Sequence, residues 1–326
     1  MPPSPSTPSA PQAADPLYEP RREDCPWCGS GRLRTRRRGS DPGRRDPGSL
    51  ALDECGDCGH AFRNPRLTTQ GLALRLRDLP EGHPEDFAER LLRAGEVRRR
   101  HRAAARAVLP LCEPESWLDI GTGYARFPET AKEVFAYTSF DGLDPTGRVE
   151  EARLAGRVEE AHRGRLTDPG VRARLHSRYD VVSMFHHLEH APDPRAELHA
   201  ALGALRPGGH LLVDVPDPHS AFATLLGPWW PPHGRPSHLH LMPLDNLHAE
   251  LKTQGCTIVT TDRRAAHLPY DLSAALFLAL AHTHRAVRTT AAPALAAAAA
   301  LDRSLAPLLR RTRFSNAYRV IARKPA

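Results

Sequence analysis

Long apolar runs are absent from this chain of 326 residues: no stretch contains the 18 consecutive apolar residues that a membrane-spanning helix requires. The opening residues also lack the basic segment followed by an apolar run that marks a secretory signal. They are rich in Pro, Ser and Ala instead, which predicts a disordered tail over residues 1–20. We therefore expect a cytoplasmic protein without a transmembrane segment.

Lysine is scarce, so arginine supplies most of the positive charge behind the formal net charge of +7. This balance permits an acidic partner but does not demonstrate one. Apolar residues make up 40% of the chain, enough for one sizeable α/β domain and a small accessory domain.

The chain has only six cysteines, and four of them form two CxxC pairs: Cys25 with Cys28, and Cys55 with Cys58. Each short spacing lets two thiolates reach one ion, and the glycine that follows each pair permits a tight turn. Four thiolates suit tetrahedral Zn²⁺ in a closed, structural site. A redox dithiol is the alternative, but it normally lies at a strand–helix junction of a larger fold. We predict a zinc ribbon over residues 21–68.

Seven arginines lie between the two cysteine pairs, from Arg32 to Arg45. They could form a basic finger that grips phosphate, or a solvated loop of the ribbon. No aromatic residue accompanies them to stack on bases, which favours the loop.

The stretch Trp117 to Ala125, WLDIGTGYA, has the pattern of a β-strand that turns tightly into a helix. Gly121 and Gly123 permit positive φ and let a ligand approach the backbone closely. The next strand ends at Asp144, where a carboxylate can accept hydrogen bonds from a ribose diol. Buried strands follow at Val181–Phe185 and after a Pro-Gly-Gly turn within Leu205–Pro218.

This order of elements resembles the class I S-adenosylmethionine-dependent methyltransferases over Ser116 to Arg263, with a last strand at Asn316–Arg323. The CxxCG pair leading into HAFRNPRLT resembles the N-terminal zinc ribbon of one bacterial group of these enzymes, many of which modify small molecules. The resemblance implies a Rossmann-like seven-stranded sheet with helices on both faces in residues 113–326. It also implies a helical linker or cap at 69–112 that covers the cofactor cleft, within which Glu85 to Leu109 is expected to be helical.

The resemblance implies S-adenosylmethionine as cofactor and assigns Asp119, Gly121, Gly123, Asp144 and Phe185 to its binding. The adenine contact is expected from the segment Ala161 to Gly170, where Asp168 either contacts the base or caps a helix. Ala125 stands where the family usually has a third glycine.

Histidines dominate the end of the fourth strand, and a neutral imidazole suits the removal of an acceptor proton. His187 is the first predicted base and His238 the second. His186 is expected to face the core or the cofactor, and Glu189 and His190 to serve geometry. Replacing His187 by alanine is predicted to lower turnover far more than cofactor binding.

The segments on either side of the last strands are less patterned. Trp229 and Trp230 are predicted to form either a wall of the acceptor pocket or a rigid structural cover. Two Leu- and Ala-rich helices are predicted in an insertion over about 264–313, packing on the domain or on a second subunit of a homodimer.

These observations predict a methyltransferase that acts at O, N or C of a small molecule, a sugar or secondary metabolite. One alternative is an RNA methyltransferase that grips RNA with the ribbon and the arginines. Another alternative is a non-catalytic scaffold with a degenerate cofactor fold, which is suggested by Ala125 in place of the third glycine.

Overall fold

The computed structural model describes residues 16–37, 51–78, 94–235, 237–281 and 290–326. Two sheets organise the described chain, one of seven strands and one of four. The predicted tail up to residue 15, most of the arginine-rich stretch and the start of the predicted helix at Glu85 lie outside the described residues.

The seven-stranded sheet is built from strands that alternate with helices. Its members in chain order are β4 (Ser116–Ile120), β5 (Ser139–Asp144), β6 (Ala161–Arg163), β7 (Tyr179–Phe185), β8 (Leu205–Pro216), β10 (Thr257–Asp262) and β11 (Ala317–Arg323). In space the order is β10-β11-β8-β7-β4-β5-β6. The strands from β8 to β6 pair in parallel, whereas β11 runs antiparallel to both β8 and β10.

The predicted Rossmann-like methyltransferase sheet is confirmed. The chain reverses its direction of winding at β4, which lies between β5 and β7. Ligands of open α/β sheets bind outside the carboxyl ends of the strands at such a point. The ends of β4, β5 and β7 are Ile120, Asp144 and Phe185, so they converge on this crevice.

Helices connect these strands. Their bounds are α1 Thr69–Asp78, α2 Ala94–Arg106, α3 Arg126–Ala131, α4 Arg148–Leu154, α5 Pro169–Leu175, α6 Pro194–Ala204, α7 Ala221–Leu225, α8 Pro231–Gly234, α9 Leu244–Thr253, α10 Asp271–Ala281 and α11 Ala292–Leu309. Short 3₁₀ turns lie at Leu188–His190 and Gly227–Trp229. Two of the helices, α10 and α11, form the predicted insertion and pack against each other. In the described chain, no helix is long and apolar enough to cross a lipid bilayer.

The four-stranded sheet combines the cysteine-bearing segment with a strand from the larger domain. β1 (Leu33–Arg37), β2 (Leu52–Cys55) and β3 (Ala61–Arg63) form an antiparallel ribbon. Its fourth strand is β9 (His240–Leu241), which pairs with β3 although it follows the fifth strand of the main sheet by more than twenty residues. The cysteine-bearing ribbon is therefore joined to a segment of the larger domain by backbone hydrogen bonds as well as by side-chain packing.

A single buried apolar cluster runs through both sheets. It contains Cys25, Trp27 and Phe62 of the ribbon together with Met242 and Tyr318 of the larger domain. Because buried side chains of the ribbon and of the larger domain pack against one another in this cluster, unfolding one part would expose apolar surface of the other. The cluster therefore couples the stability of the ribbon to that of the domain.

His267 lies buried in the loop between β10 and α10, beside residues that line the cavity described below. Burial lowers the pKa of His267 to about 4, below the value of about 6.5 expected in the unfolded chain. The stabilisation from its neutral form is thus complete above pH 6.5 and is lost as the pH falls from about 6.5 to about 4.

We expect His267→Gln to flatten this acid dependence: between pH 7.5 and 5 it should lose about 2 kcal/mol less free energy of unfolding than the parent chain. Urea unfolding at the two pH values measures the difference. His199→Gln, on the exposed face of α6, is the matched control. An unchanged acid dependence in His267→Gln would show that this histidine does not carry the effect.

Candidate active site

A tight glycine turn joins β4 to α3 at the middle of the crevice. Gly121 has φ of +71° and Gly123 of +52°, the left-handed region that glycine adopts without strain. A Cβ atom on Gly121 would lie 2.5 Å from Nδ1 of His187. The turn therefore requires glycine at position 121 for space as well as for conformation.

Asp144 is buried at the carboxyl end of β5, beside this turn. Its Oδ2 accepts a hydrogen bond from the Gly123 N–H at 3.0 Å, and its Oδ1 accepts from the Thr146 N–H at 2.8 Å and from the Thr146 hydroxyl at 2.5 Å. These bonds fix the orientation of the carboxylate. Because each carboxylate oxygen has two lone pairs, Asp144 can still accept a hydrogen bond from a diol.

Asp119 lies on β4, two residues before Gly121 of the turn. Its Oδ1 accepts a hydrogen bond from the Ser183 hydroxyl at 2.6 Å, and Ser183 Oγ accepts one from the Trp117 indole N–H at 2.9 Å. Burial raises the pKa of Asp119 to about 7 in spite of these hydrogen bonds. The carboxyl group can therefore gain or lose a proton near neutral pH as a charged ligand approaches it.

Two cavities of about 860 and 790 Å³ meet at the glycine turn, and both are lined by Ile120, Gly121, His186 and His190. The smaller one extends past Asp144 to Leu166. The larger one extends past Asp119 to the loop before α10. The remaining lining of the larger cavity includes Arg100, His101, Thr122, Phe185, Glu189, Arg235, His238, Leu268 and Tyr270. Both cavities lie at the point where the sheet reverses its winding, which is where open α/β sheets bind small organic ligands.

His186 occupies the boundary between the two cavities in a strained conformation. Its φ of +50° is uncommon for a residue other than glycine, and such strain is concentrated at functional sites. Nδ1 of His186 lies 3.2 Å from Oε1 of Glu189, which is buried. Nε2 of His186 is buried and has no hydrogen-bond partner in the described chain. The carboxylate therefore orients an imidazole whose second nitrogen is available to a ligand.

The two histidines predicted as bases lie on different sides of this boundary. His187 packs against Gly121 and places Nε2 3.0 Å from Oε1 of Glu197, on the side of Asp144. The contact with Glu197 raises the pKa of His187, although burial alone would lower it. His238 lines the larger cavity instead, and burial lowers its pKa well below the usual value.

Helix α2 lines one side of the larger cavity. Arg98 and Arg102 form ion pairs with Glu133 outside the cavity, whereas Arg100 and His101 line it. The Arg100 Nε and His101 Nδ1 atoms are buried and have no hydrogen-bond partner in the described chain. The basic cluster Arg98–Arg102 is therefore divided between solvent and the cleft, because α2 turns Arg100 and His101 towards the cavity.

The four cysteines of the ribbon converge on one point. Sγ of Cys25 lies 3.7 Å from Sγ of Cys58, Sγ of Cys28 lies 3.5 Å from Sγ of Cys55, and all four sulfurs lie within 4.8 Å of one another. Four sulfurs at tetrahedral corners about 2.3 Å from a zinc ion are about 3.8 Å apart. The backbone N–H groups of Trp27 and Asp57 point at two of the sulfurs, each at 3.4 Å, so the donor set and its surroundings fit a structural zinc ion.

Hydrogen bonds connect the ribbon to segments that line the larger cavity. The Leu239 N–H donates to the Glu189 carbonyl at 2.8 Å, and the Leu239 carbonyl accepts from the Arg63 N–H of β3 at 3.0 Å. The Arg63 guanidinium also donates to the carbonyls of His233 and Arg235 at 2.5 and 2.7 Å. The ribbon thus fixes both the turn that carries Glu189 and the loop that carries His238.

A model of the methyltransferase domain family matches residues 88–261, more than half of the chain. The chain belongs to this family. Together with the seven-stranded sheet, the match identifies it as a class I S-adenosylmethionine-dependent methyltransferase. The resemblance seen in the sequence is confirmed, and the scaffold alternative has no support from the family match.

Several solved structures are similar to the methyltransferase at low sequence identity. A chain in the Haloferax volcanii complex of the Trm112 methyltransferase activator is 18% identical, with a TM-score of 0.49, and the match covers 71% of this chain and 92% of that one. The 4+2 cyclase SpnF is 18% identical at a TM-score of 0.47, covering 69% and 82%. An S-adenosylmethionine-dependent methyltransferase from Archaeoglobus fulgidus is 17% identical at 0.43, covering 70% and 94%. No curated protein matches the sequence.

The methyltransferase brings its predicted cofactor residues together. Asp119, Gly121, Gly123 and Asp144 surround the turn where the cavities meet, and Phe185 lines the larger cavity with its ring 4.3 Å from that of Phe127. The left-handed Gly121 and Gly123 leave the backbone open beside the buried Asp119 carboxyl group. An open glycine turn next to a carboxyl group fits a ligand with a charged amino-acid tail, so the residues present suit S-adenosylmethionine.

The segment predicted to contact adenine reaches the smaller cavity, but the side chain of Asp168 does not line it. Oδ2 of Asp168 accepts a hydrogen bond from the Arg165 N–H at 2.8 Å, and the residue precedes α5 with Pro169 at the first helical position. Gly164, Arg165 and Leu166 line the smaller cavity instead. The structure therefore supports the structural interpretation of Asp168.

Ala125 occupies the third position of the glycine motif in a left-handed conformation, with φ of 55° and ψ of 43°. Its methyl group is buried with Ala152 and Val158 in a small apolar cluster, and neither cavity includes Ala125 in its lining. The extra carbon strains the backbone but does not obstruct the ligand.

We expect Ala125→Gly to change the free energy of unfolding by less than about 1 kcal/mol, because relief of about 1 kcal/mol of left-handed strain is offset by the lost methyl burial and the greater chain entropy of glycine. Its affinity for S-adenosylhomocysteine should stay within about threefold of the parent value. Urea unfolding and calorimetric titration measure the two quantities. A large gain in affinity would show that the methyl group does disturb the turn.

Proposed function

We propose that this methyltransferase transfers a methyl group from S-adenosylmethionine to O, N or C of a small molecule, of the size of a sugar or secondary metabolite. The observation that supports this most directly is the enclosed larger cavity, which shares Gly121 with the cofactor turn and ends at Leu268 and Tyr270. An acceptor in this cavity would lie next to the transferable methyl group. Alignment of the two reactants is the main requirement of such a displacement.

An RNA acceptor is less well supported by the described residues. Arg32 of the ribbon pairs with Asp57, and Arg34 and Arg36 share Glu54, so two carboxylates of the chain offset two of these three positive charges. Residues of α2, the His238 loop and the loop before α10 line the larger cavity, which suits a small acceptor better than a duplex. The arginines after residue 37 lie outside the described residues.

We assign the base to His186, with Glu189 as the residue that orients it. S-adenosylmethionine supplies an electrophilic methyl group when it is bound. Nε2 of His186 would accept the proton that the acceptor loses, while Oε1 of Glu189 holds the proton on Nδ1 and stabilises the resulting imidazolium ion. His187, the first predicted base, contacts the cofactor turn and is better placed to position the cofactor.

The cofactor roles are proposals that follow the same geometry. Asp144 would accept from the ribose hydroxyls, and Gly121 and Gly123 would admit the amino-acid tail next to Asp119. Phe185 would form an apolar wall of the methyl-transfer site. Zn²⁺ on Cys25, Cys28, Cys55 and Cys58 would stabilise the ribbon and, through Arg63, the acceptor cavity.

Two further assignments complete the proposal. The protein is assigned to the cytoplasm, where reducing conditions keep the four thiolates available to zinc. Exposed apolar side chains at Phe277, Leu301 and Leu308 on the helical insertion suit a homodimer contact, which light scattering on a sizing column would measure.

Calorimetric titration of the zinc-loaded protein with S-adenosylhomocysteine tests the cofactor site. We expect micromolar binding that Asp144→Asn weakens at least about tenfold, because the amide loses an acceptor for the diol. Asp141→Asn is the matched control: Asp141 is buried in the same strand but bonds to Tyr179 away from both cavities. Absence of binding to folded protein would sink the proposal.

Once binding is established, tritiated S-adenosylmethionine and two acceptor pools separate the substrate classes. We expect methyl incorporation into a small-molecule extract. Incorporation into RNA alone, lost when Arg36, Arg37 and Arg38 become alanine, would establish the RNA alternative instead.

A further inference from the structure

Glu189, His190 and His238 converge in the wall of the larger cavity. One ligand atom from each, a carboxylate oxygen or an imidazole nitrogen, lies within 4.8 Å of the others. All three residues line the cavity that holds the glycine turn, and Glu189 and His238 are 3% and 4% exposed. We propose that these three side chains bind a divalent transition-metal ion that holds an oxygen of the methyl acceptor. The acceptor role rests on the proposed function, whereas the ion site itself does not.

The hydrogen bonds of the two imidazoles fix which nitrogen faces the site. Nδ1 of His190 lies 2.8 Å from the Ser237 carbonyl, and Nδ1 of His238 lies 3.1 Å from the Pro232 carbonyl. Since a carbonyl only accepts hydrogen bonds, both Nδ1 atoms carry the proton and both Nε2 atoms carry the lone pair. Metal-binding histidines are oriented in this way, by donating the other ring N–H to a backbone carbonyl.

The carboxylate supplies the third donor. Oε1 of Glu189 contacts His186, but Oε2 is buried and has no hydrogen-bond partner in the described chain. A buried carboxylate oxygen without a partner is costly in a folded protein, and a cation removes that cost. The same Glu189 can therefore orient the proposed base through one oxygen and bind the ion through the other.

The donor set and its spacing indicate the class of ion. Two imidazoles and one carboxylate on one side of an ion leave open positions for a further ligand, an arrangement used for divalent iron and accessible to Mn²⁺, Co²⁺ and Zn²⁺. Ligands about 2.1 Å from one ion are about 3.0–3.5 Å apart, so the donors approach one another by at most about 1.8 Å on binding. The other mixed cluster, around Asp141 and His162, is less suitable because its Glu160 is exposed and its Asp141 oxygen already accepts from Tyr179.

The surrounding charges indicate the class of acceptor. Arg100 and Arg235 line the same cavity and oppose a bare cation next to them. Their charge favours an ion that carries an anionic oxygen ligand. The ion would lower the pKa of a bound hydroxyl, and His186 would accept its proton. Acceptors with two adjacent oxygens, such as a hydroxy acid, a catechol or a hydroxy ketone, meet both requirements.

Binding of Mn²⁺ to the full-length, zinc-loaded protein tests the site without cofactor or acceptor. Mn²⁺ prefers oxygen and imidazole ligands and does not compete for four thiolates, so it leaves the ribbon unchanged. The loss of the electron paramagnetic resonance signal of aqueous Mn²⁺ measures binding. We expect one ion per chain, with the affinity lowered at least about tenfold in Glu189→Gln and in His238→Gln.

His199→Gln, an exposed histidine on α6, should bind Mn²⁺ like the parent protein. Circular dichroism of each variant separates loss of the site from loss of the fold, and Co²⁺ absorption of the imidazole type, without thiolate charge transfer, provides a second readout. No Mn²⁺ or Co²⁺ binding, or binding that Glu189→Gln and His238→Gln leave unchanged, would overturn the proposal. If neither metal ion binds but S-adenosylhomocysteine still does, the ion site alone fails and the proposed function stands.

Discussion

His186→Gln is expected to lower kcat by about 10²–10⁴-fold, the usual contribution of a general base, while changing the affinity for S-adenosylhomocysteine by less than about threefold. The imidazole Nε2 lies where the two cavities meet and has no partner in the described chain, so the proton of the acceptor is its natural ligand. Glutamine keeps a polar group of similar length but has no comparable basicity. Single-turnover methyl transfer and calorimetry on the same preparation measure the two quantities.

His187→Gln is the comparison that distinguishes the two neighbouring histidines. His187 contacts Gly121 and Glu197, so its replacement is expected to weaken cofactor binding more than it lowers kcat. The reverse result, a small effect at His186 and a large loss of kcat at His187, would restore His187 as the base that the sequence predicted.

Removal of zinc from the ribbon is expected to lower the rate of methyl transfer by at least about 100-fold. Displacement of a reacting group by about 1 Å has effects of this size. Binding of S-adenosylhomocysteine should weaken by less than about tenfold. The reason is geometric: Leu239 links β3 of the ribbon to the Glu189 turn, and Arg63 holds the carbonyls of His233 and Arg235. Asp144 and the glycine turn lie on strands of the main sheet.

Cys55→Ser, assayed beside chelator-treated parent protein, tests this expectation. Zinc content, circular dichroism and methyl transfer are measured together, and Cys256→Ser serves as the control because Cys256 is buried away from the ribbon's thiolate cluster. Full activity in zinc-free protein would show that the ribbon does not shape the acceptor cavity. Equal loss of cofactor binding and activity would show that it supports the whole domain instead.

The sequence predicted the parts of the fold that short-range patterns determine. The strand of Trp117, the glycine turn and the acidic end of β5 follow from alternating apolar runs and from residues with special backbone freedom. The ends of the last strand fell within one residue of the observed ones: Asn316–Arg323 was predicted, and β11 spans Ala317–Arg323. The Pro-Gly-Gly turn was placed correctly but is a bulge inside β8, where the partner of Val181 is His210.

The parts that sequence patterns missed depend on contacts between distant segments. Nothing near Arg100 indicates that it turns toward a cavity while Arg98 and Arg102 pair with Glu133, because the choice depends on how α2 packs on α3. The sequence alone does not show which of His186, His187 and His190 faces an acceptor. The positive φ of His186 and its contact with Glu189 distinguish it from the other two. The pairing of β9 with the ribbon was also beyond prediction, since a two-residue strand carries almost no pattern of its own.

That short strand has a consequence for how such enzymes are assembled and re-engineered. The ribbon is encoded at the start of the chain, yet the outer edge of its sheet is completed by His240 and Leu241 from far downstream. A ribbon moved alone onto another methyltransferase would carry an open edge, and its recipient would have a cavity wall without its support. The unit that can be exchanged between relatives is therefore discontinuous in the gene: ribbon and acceptor loop must be transplanted together.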